Sequence, residues 1–517
     1  MKAAIPEVGP VWMGLYPEDE HNRTLVSNVH PPDWKNPDPE GRYNLVVIGA
    51  GTAGLVTAAG AAALGAKVAL VERHLFGGDC LNTGCVPSKS VIRASRVMAE
   101  LNLARSFGIP IPKNTHVDFA AVMERMRRIR AHISHHDSVR RFQKLGIDVF
   151  LGEGRFAAPD SLEVAGKRLR FKKAVIATGA RAAVPPIEGL VEAGYLTNET
   201  VFNLTKRPDR LLVMGGGPIG CELAQAFCRL GSQVTIVEMA PQFLTREDPD
   251  AAQILARAFQ RDGIDVRLNT RVKRIVNSGE EKQVHLESNG KEFAVGTDTI
   301  LVGVGRAPNV EDLGLEAAGV KYDSKAGVHV NDNLQTTNPR IYAAGDICLA
   351  HKFTHTADAT ARIVIQNSLF LGRKKWTTLT IPWCTYTDPE IAHVGIYEAE
   401  ARAKGIPVDT FQIPMSEVDR AIADGEEEGF VKIHVRKGTD QILGATIVAR
   451  HAGEMISEIT LAVVHGIGLG SITNVIHPYP TQAEAIKKAA DSYNRTRLTP
   501  FVKALLSRWL NWTAALF

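Results

Sequence analysis

Cysteine is scarce in this chain, at six of 517 residues. That number excludes the disulfide lattice of a small secreted domain, and a close pair of thiols then reads as metal-binding or redox-active in a reducing compartment. Long apolar runs are also missing. No uncharged stretch of about 18 residues occurs outside glycine-rich segments, so no spanning helix is expected. The opening MKAAIPEVGPVWMGLYPEDE lacks the apolar centre of a secretory signal, and the expected location is the cytoplasm. No charge sign dominates: 60 Lys and Arg against 56 Asp and Glu leave +4, with no basic stripe, which argues against a nucleic-acid partner. With 45% hydrophobic and 22% charged residues the composition is that of a globular protein, long enough for roughly three or four domains.

What is present begins with a repeat. Residues 1–42 are rich in Pro, Asn and acids (HPPDWKNPDPEG) and read as an N-terminal arm. From Tyr43, YNLVVIGAGTAGLVTAAGAAALGAKVALVER reads as strand, glycine turn, small-residue helix and strand. Gly49, Gly51 and Gly54 have the G-x-G-x-x-G spacing: the first makes the turn, the second admits a pyrophosphate, and the third lets helix and strand pack closely. Glu72 closes the second strand 72 − 51 = 21 residues after the central glycine, placed for ribose hydroxyls. The unit recurs in RLLVMGGGPIGCELAQAFCRLGSQVTIVEM, with Gly215, Gly217, Gly220 and Glu238, again 238 − 217 = 21 residues on. Two copies with the same offset imply two dinucleotide sites. A nicotinamide and a flavin would make a cysteine pair intelligible as the next electron carrier.

That pair lies in GGDCLNTGCVPSKS. Cys80 and Cys85 are five apart, about 140° around a regular helix, so bridging needs the irregular helical entry that Gly84 and Pro87 allow. A redox-active disulfide is the favoured reading. A zinc site would need two more ligands at metal spacing, and no second close Cys/His group exists, so no metal is expected. Cys221 and Cys228 are two helical turns apart, too far to bridge, and Cys348 and Cys384 read as small buried apolar residues.

These residues resemble the class I flavoprotein disulfide reductases, which include dihydrolipoamide dehydrogenase, glutathione reductase and mercuric reductase. The likeness runs from about Tyr43 to about Arg495. VIATGA with Gly179 resembles the exit strand of the flavin domain, LVGVGRAPN with Gly305 that of the nicotinamide domain, and IYAAGDI with Gly345 and Asp346 the second flavin motif, whose Asp holds the ribityl chain. TDPEIAHVG resembles the start of the dimerisation domain. The resemblance implies two Rossmann-like dinucleotide-binding domains and an α+β dimerisation domain. The boundaries read as 43–187 and 312–382 for FAD, 188–311 for NAD, 383–495 for dimerisation, and 496–517 for a terminal amphipathic helix. It also implies FAD, NAD(P)H and a homodimer with an active site shared across subunits. By the same resemblance Cys85 is the thiol against the flavin and Cys80 the interchange thiol. Lys89 and Glu222 match the ion pair beside the flavin, a cation that favours a Cys85 thiolate. Electrons then pass from nicotinamide through flavin and the Cys80–Cys85 disulfide to a thiol-reactive substrate, or the cycle runs in reverse from a dithiol. Glu238 implies NADH over NADPH, since a carboxylate repels a 2′-phosphate.

The C-terminal loop VIHPYPTQAEAIKKAA departs from the disulfide-reducing members. Tyr479 stands where their histidine base belongs, His477 lies two residues early, and Glu484 matches the acid that orients the base. Thr481 and Glu484 also make the T-x-x-E of a capping box. A tyrosine here, and YLTNET, resemble mercuric reductase, yet that family's C-terminal cysteine pair and N-terminal Cys-x-x-Cys domain are absent. Asp79, beside Cys80, is expected to disfavour its thiolate. The tail LTPFVKALLSRWLNWTAALF repeats Leu498, Val502, Leu505, Trp509, Trp512 and Leu516 at helical spacing. It suits packing within a dimer or lying at a membrane surface through Trp509, Trp512, Lys503 and Arg508. The leading expectation is a mercuric-reductase-like enzyme. Dihydrolipoamide dehydrogenase with His477 or Tyr479 as base is the alternative. A membrane-docked flavoprotein reducing quinone is a third reading, which the Cys-x4-Cys pair argues against.

Overall fold

A computed structural model describes residues 13–112, 115–279 and 281–514. The chain divides into two compact units. The first comprises residues up to Thr245 together with Asp262–Leu379, and the second Arg246–Arg261 with the residues from Thr380 onward.

The first unit holds both glycine-turn repeats, each at the centre of a parallel sheet. Strand Arg42–Ile48 pairs in parallel with Val68–Glu72 on one side and Lys167–Ile176 on the other. Ile147–Leu151 extends the sheet beyond Val68–Glu72, Ile341–Ala343 joins at Lys167–Ile176, and the antiparallel strands Ser161–Val164 and Gly154–Ala158 complete seven. Leu45, Val46 and Val47 are fully buried, as near-continuous apolar strands covered on both faces should be. The second repeat builds a four-stranded parallel sheet in the order Asp265–Arg267, Gln233–Val237, Arg210–Met214, Thr299–Val302. An antiparallel meander, Thr270–Ser278, Glu281–Ser288 and Lys291–Thr297, belongs to the same unit. The two repeats therefore fold as the Rossmann-like units that their spacing predicts.

In the second unit five antiparallel strands run in the order Trp383–Thr385, Glu390–Gly395, Ile442–Ala449, Phe430–Arg436, Val408–Pro414. Helices Ala452–His465 and Glu484–Thr496 bury Ile456, Ile459, Ile486 and Ala489 in the same core.

The fold differs from the sequence reading at two places. Residues 13–42 are no loose arm. Asp19 caps a helix, Glu20–Val29, whose Leu25, Val26 and Val29 sink into the core of the first repeat. Asn36 then exchanges two hydrogen bonds with Leu151, covering the sheet's edge strand. Residues 1–12 of the expected arm lie outside the described residues. The second difference is Arg246–Arg261, which groups with the second unit rather than with the nicotinamide domain. Lys432 bonds Asp248 at 3.2 Å and pairs with Asp250, while Trp383 and Tyr397 each donate to Glu247 at 2.7 Å. Among the described residues no helix is long and apolar enough to cross a membrane.

Candidate active site

The two glycine turns are built alike. Gly49 and Gly215 have φ of 99° and 101°, left-handed values that a side chain resists. A Cβ on Gly54 would overlap the carbonyl of Gly49, and one on Gly220 the carbonyl of Gly215, so helix and strand touch at both. The central glycines differ from these: a Cβ on Gly217 would meet nothing within 4 Å, and one on Gly51 only a Gly78 Cα at 3.7 Å. Space is left there for a ligand. Helices Thr52–Ala63 and Pro218–Arg229 start at these glycines with no side-chain cap and no acid in the first turn. Their free amides and dipole suit a pyrophosphate, and the residues present thus fit two dinucleotides. Glu72 accepts from the amides of Ala50 at 2.6 Å and His74 at 2.8 Å. Glu238 accepts from Gly216 at 2.7 Å and Ala240 at 2.8 Å. Each carboxylate keeps lone pairs for ribose hydroxyls.

The thiols sit where two helices meet. Cys80 is in the short helix Gly78–Asn82, and Cys85 is the first residue of Cys85–Leu103. Between them Gly84 passes so close to Asp79 that a Cβ would lie 2.8 Å from its carbonyl oxygen, which is the irregular entry that bridging requires. Both cysteines are free thiols. Their mutual interaction does most to separate them: it lowers Cys85, and with burial it pushes Cys80 well up. Burial opposes the shift at Cys85, but the Thr354 hydroxyl at 3.4 Å and the Lys89 charge lower it further, and it settles at about 6. The arrangement favours the thiolate at Cys85 and the neutral thiol at Cys80.

Lys89 lies one turn beyond Cys85 and donates to Glu222 Oε2 at 2.8 Å, with Glu222 itself buried. Asp346, in the turn Gly345–Ile347, is raised by burial, which Arg306 and Lys352 partly offset. Arg306 follows Gly305. Its guanidinium pairs with Asp79, donates to Ala180 O at 2.5 Å beside Gly179, and lies 3.7 Å from Asp346. This corrects the expectation for Asp79. Its carboxylate is turned onto Arg306 and accepts from Thr83 Oγ1 at 2.7 Å, and the acid that helps to raise Cys80 is Asp137. Sequence reasoning missed Thr354, Asp137 and Arg306 as partners of this cluster. The GRAPN motif held the one available signal, since Arg306 adjoins a glycine already singled out.

The C-terminal loop belongs to the second unit. Tyr479 is 70% exposed and donates to Asp419 Oδ2 at 2.9 Å, a contact that raises its pKa. His477 faces oxygen acceptors with both ring nitrogens, Val475 O at 3.2 Å and Glu458 Oε1 at 3.0 Å. Glu484 opens its helix, lies 3.6 Å from Lys488, and keeps Oε2 buried with no hydrogen-bond partner. The capping box does not form: Thr481 donates to Pro478 O, and the cap position is Ala483. Asp419 and Glu458 were not foreseen.

Comparison with known proteins defines the class. Residues 43–361 match the family described as pyridine nucleotide-disulphide oxidoreductase, and residues 381–490 match its dimerisation domain. The chain belongs to this family. A mercuric reductase of Staphylococcus aureus is 35% identical over 482 residues, 93% of this chain and 87% of the relative. A dihydrolipoyl dehydrogenase of Chlamydia muridarum is 33% identical over 458 residues, 87% of this chain and 96% of the relative. The HOCl-induced flavoprotein disulfide reductase RclA from Escherichia coli has a similar structure, with TM-score 0.78 and 29% identity over 86% of this chain and 99% of that one. The protein is an FAD- and NAD(P)H-dependent oxidoreductase acting on sulfur groups, of the mercuric reductase and dihydrolipoyl dehydrogenase type. Its dimerisation domain supports a homodimer.

Proposed function

We propose that the enzyme draws on NADH to reduce a small, soft, thiol-reactive substrate that exchanges onto Cys80, of which a thiol-bound mercuric ion is the type. The observation supporting this reading is the Tyr479 hydroxyl, engaged with Asp419, in the loop position that resemblance to the disulfide-reducing members gives to their base. A dithiol substrate must give up a proton near neutral pH, a task for neutral imidazole. A phenol near ~10, raised further by an adjacent carboxylate, donates protons but does not collect them. Ligand exchange at a thiol-bound soft ion makes no such demand. The Cys80 S–H bond breaks, a Cys80 Sγ–metal bond forms, one metal–thiolate bond breaks, and the proton leaves with the departing thiol. Tyr479 of one protomer would stand beside Cys80 of its partner and donate a hydrogen bond to the departing sulfur.

Gly51 and Glu72 with Asp346 would hold FAD, and Gly217 with Glu238 the nicotinamide cofactor. When bound, these groups supply hydride and electron-pair transfer. Lys89, neutralised in part by Glu222, keeps Cys85 ionised, and Thr354 orients it. Glu238, a carboxylate already fixed by two amides, favours ribose hydroxyls over a 2′-phosphate.

Dihydrolipoamide dehydrogenase is the second reading. It is favoured by Glu484 Oε2, a buried acceptor without a hydrogen bond that could orient a base. Anaerobic NADH turnover against lipoamide, glutathione disulfide, Hg(II) with excess thiol, and a quinone separates the readings. Turnover should be fastest with thiol-bound Hg(II). Lipoamide turnover that survives Tyr479→Phe would reject this proposal and move the base to His477, which His477→Gln then tests.

A further inference from the structure

The helix Pro500–Ala514 buries no residue, although nine of its fifteen residues are hydrophobic. At about 100° per residue, Phe501, Trp512, Leu505, Trp509, Leu506 and Leu510 fall within one arc of about 180°. Those six side chains are between 46% and 77% exposed, and the Trp509 and Trp512 rings lie 5.2 Å apart. Ser507 and Asn511 occupy the opposite face. Lys503 sits about 20° beyond Leu510, and Arg508 about 20° before Phe501, so one cation stands at each edge of the apolar arc. From Ser492 to Phe517 the sequence holds Arg495, Arg497, Lys503 and Arg508 and not one Asp or Glu.

We propose that this helix lies flat on an anionic phospholipid surface and holds the enzyme there. Two Trp rings with an apolar body and a polar N–H suit the headgroup boundary. Lysine and arginine at the arc edges can keep their stems in the apolar layer and their charges among phosphates. At about 1.5 Å per residue, fifteen residues reach only about 22 Å, too short to span a bilayer, which leaves the interfacial plane. Charge decides against a second copy of the helix as occupant. Face-to-face pairing would line Lys503 and Arg508 along a seam with no acid to answer them, whereas an anionic surface answers all four cations.

The test is flotation of the full-length holoenzyme with two kinds of vesicle, phosphatidylcholine alone and phosphatidylcholine with about one third phosphatidylglycerol. The protein should bind the anionic vesicles and release from them as salt shortens the screening length. Lys503→Gln with Arg508→Gln should lower the partition coefficient roughly 30-fold, at about fivefold per basic side chain near such a surface. Trp509→Ser with Trp512→Ser should lower it while the flavin spectrum and NADH oxidation stay unchanged, which shows that the variant is folded. Absence of binding to anionic vesicles at low salt would overturn the proposal. So would equal binding by the Lys503→Gln, Arg508→Gln variant. A Trp509→Ser, Trp512→Ser protein that binds vesicles normally but sediments as a monomer would overturn it too, and assign the face to the subunit interface.

Discussion

Replacing Lys89 with methionine should move the titration of Cys85 by a predictable amount. Groups four apart on a helix lie about 6 Å from one another, and at an effective dielectric of about 20 one charge then acts on another with roughly 2.8 kcal/mol, or about two pKa units. Lys89 is partly exposed and shares its field with Glu222, and both reduce that figure. Removing the lysine alone also leaves the buried Glu222 charge, which raises Cys85, in place. The balance is a rise of about one to two units from the native value of about 6. Lys89→Met should therefore lower the ratio of Cys85 thiolate to thiol at pH 7 by about ten- to a hundredfold. The double variant Lys89→Met, Glu222→Gln removes both charges and should recover part of the loss. Alkylation of Cys85 by iodoacetamide in the anaerobically reduced enzyme, followed against pH by peptide mass spectrometry, reads these midpoints directly. A Lys89→Met midpoint that stays at the native value, or a double variant shifted further than the single one, refutes the electrostatic account.

Three other outcomes are expected. Cys85→Ser should abolish the long-wavelength charge-transfer absorbance on two-electron reduction, and Cys80→Ser, which keeps a hydroxyl donor toward Cys85, should retain or strengthen it; an unchanged reduced spectrum in both variants would remove the pair from the mechanism. The kcat/KM for NADH should exceed that for NADPH, and Glu238→Ala should narrow the gap; a native preference for NADPH contradicts the reading of Glu238. Tyr479→His should gain lipoamide turnover by at least about tenfold, because imidazole near ~6.5 collects a proton that a phenol does not. Efficient lipoamide turnover by the native protein would count against it.

Both dinucleotide folds were legible in the sequence because each depends on residues within about thirty positions. The glycine spacing dictates the turn, and the acid 21 residues on lands at the end of the adjacent strand. The cysteine pair was legible for the same reason. What the sequence hid depends on distant partners. Asp79 follows its neighbour only in number: consecutive residues on a helix point apart, and Arg306, 227 residues on, takes the carboxylate. Thr354 reaches Cys85 from 269 residues away. Residues 13–42 look like a linker in composition, yet Asp19 and Asn22 bind Arg127 and Arg130, and Arg130 also donates to Asn82 O beside the thiols. The T-x-x-E pattern at Thr481 was legible but misleading, since the chain turns there through Pro478 and begins its helix three residues later.

The segment Arg246–Arg261 has a consequence for how the protein is made. It leaves the ribosome soon after the second glycine turn, but Lys432, which binds Asp248 and Asp250, lies 184 and 182 residues further along. At about 5–20 residues per second, synthesis of that interval takes on the order of 10–40 s. Throughout that time the acidic part of this segment is without its lysine, and the strand that supplies it does not yet exist. The second unit can close only after nearly the whole chain has emerged, so ribosome-bound nascent chains ending before Lys432 should leave this segment open to protease, and longer ones should protect it.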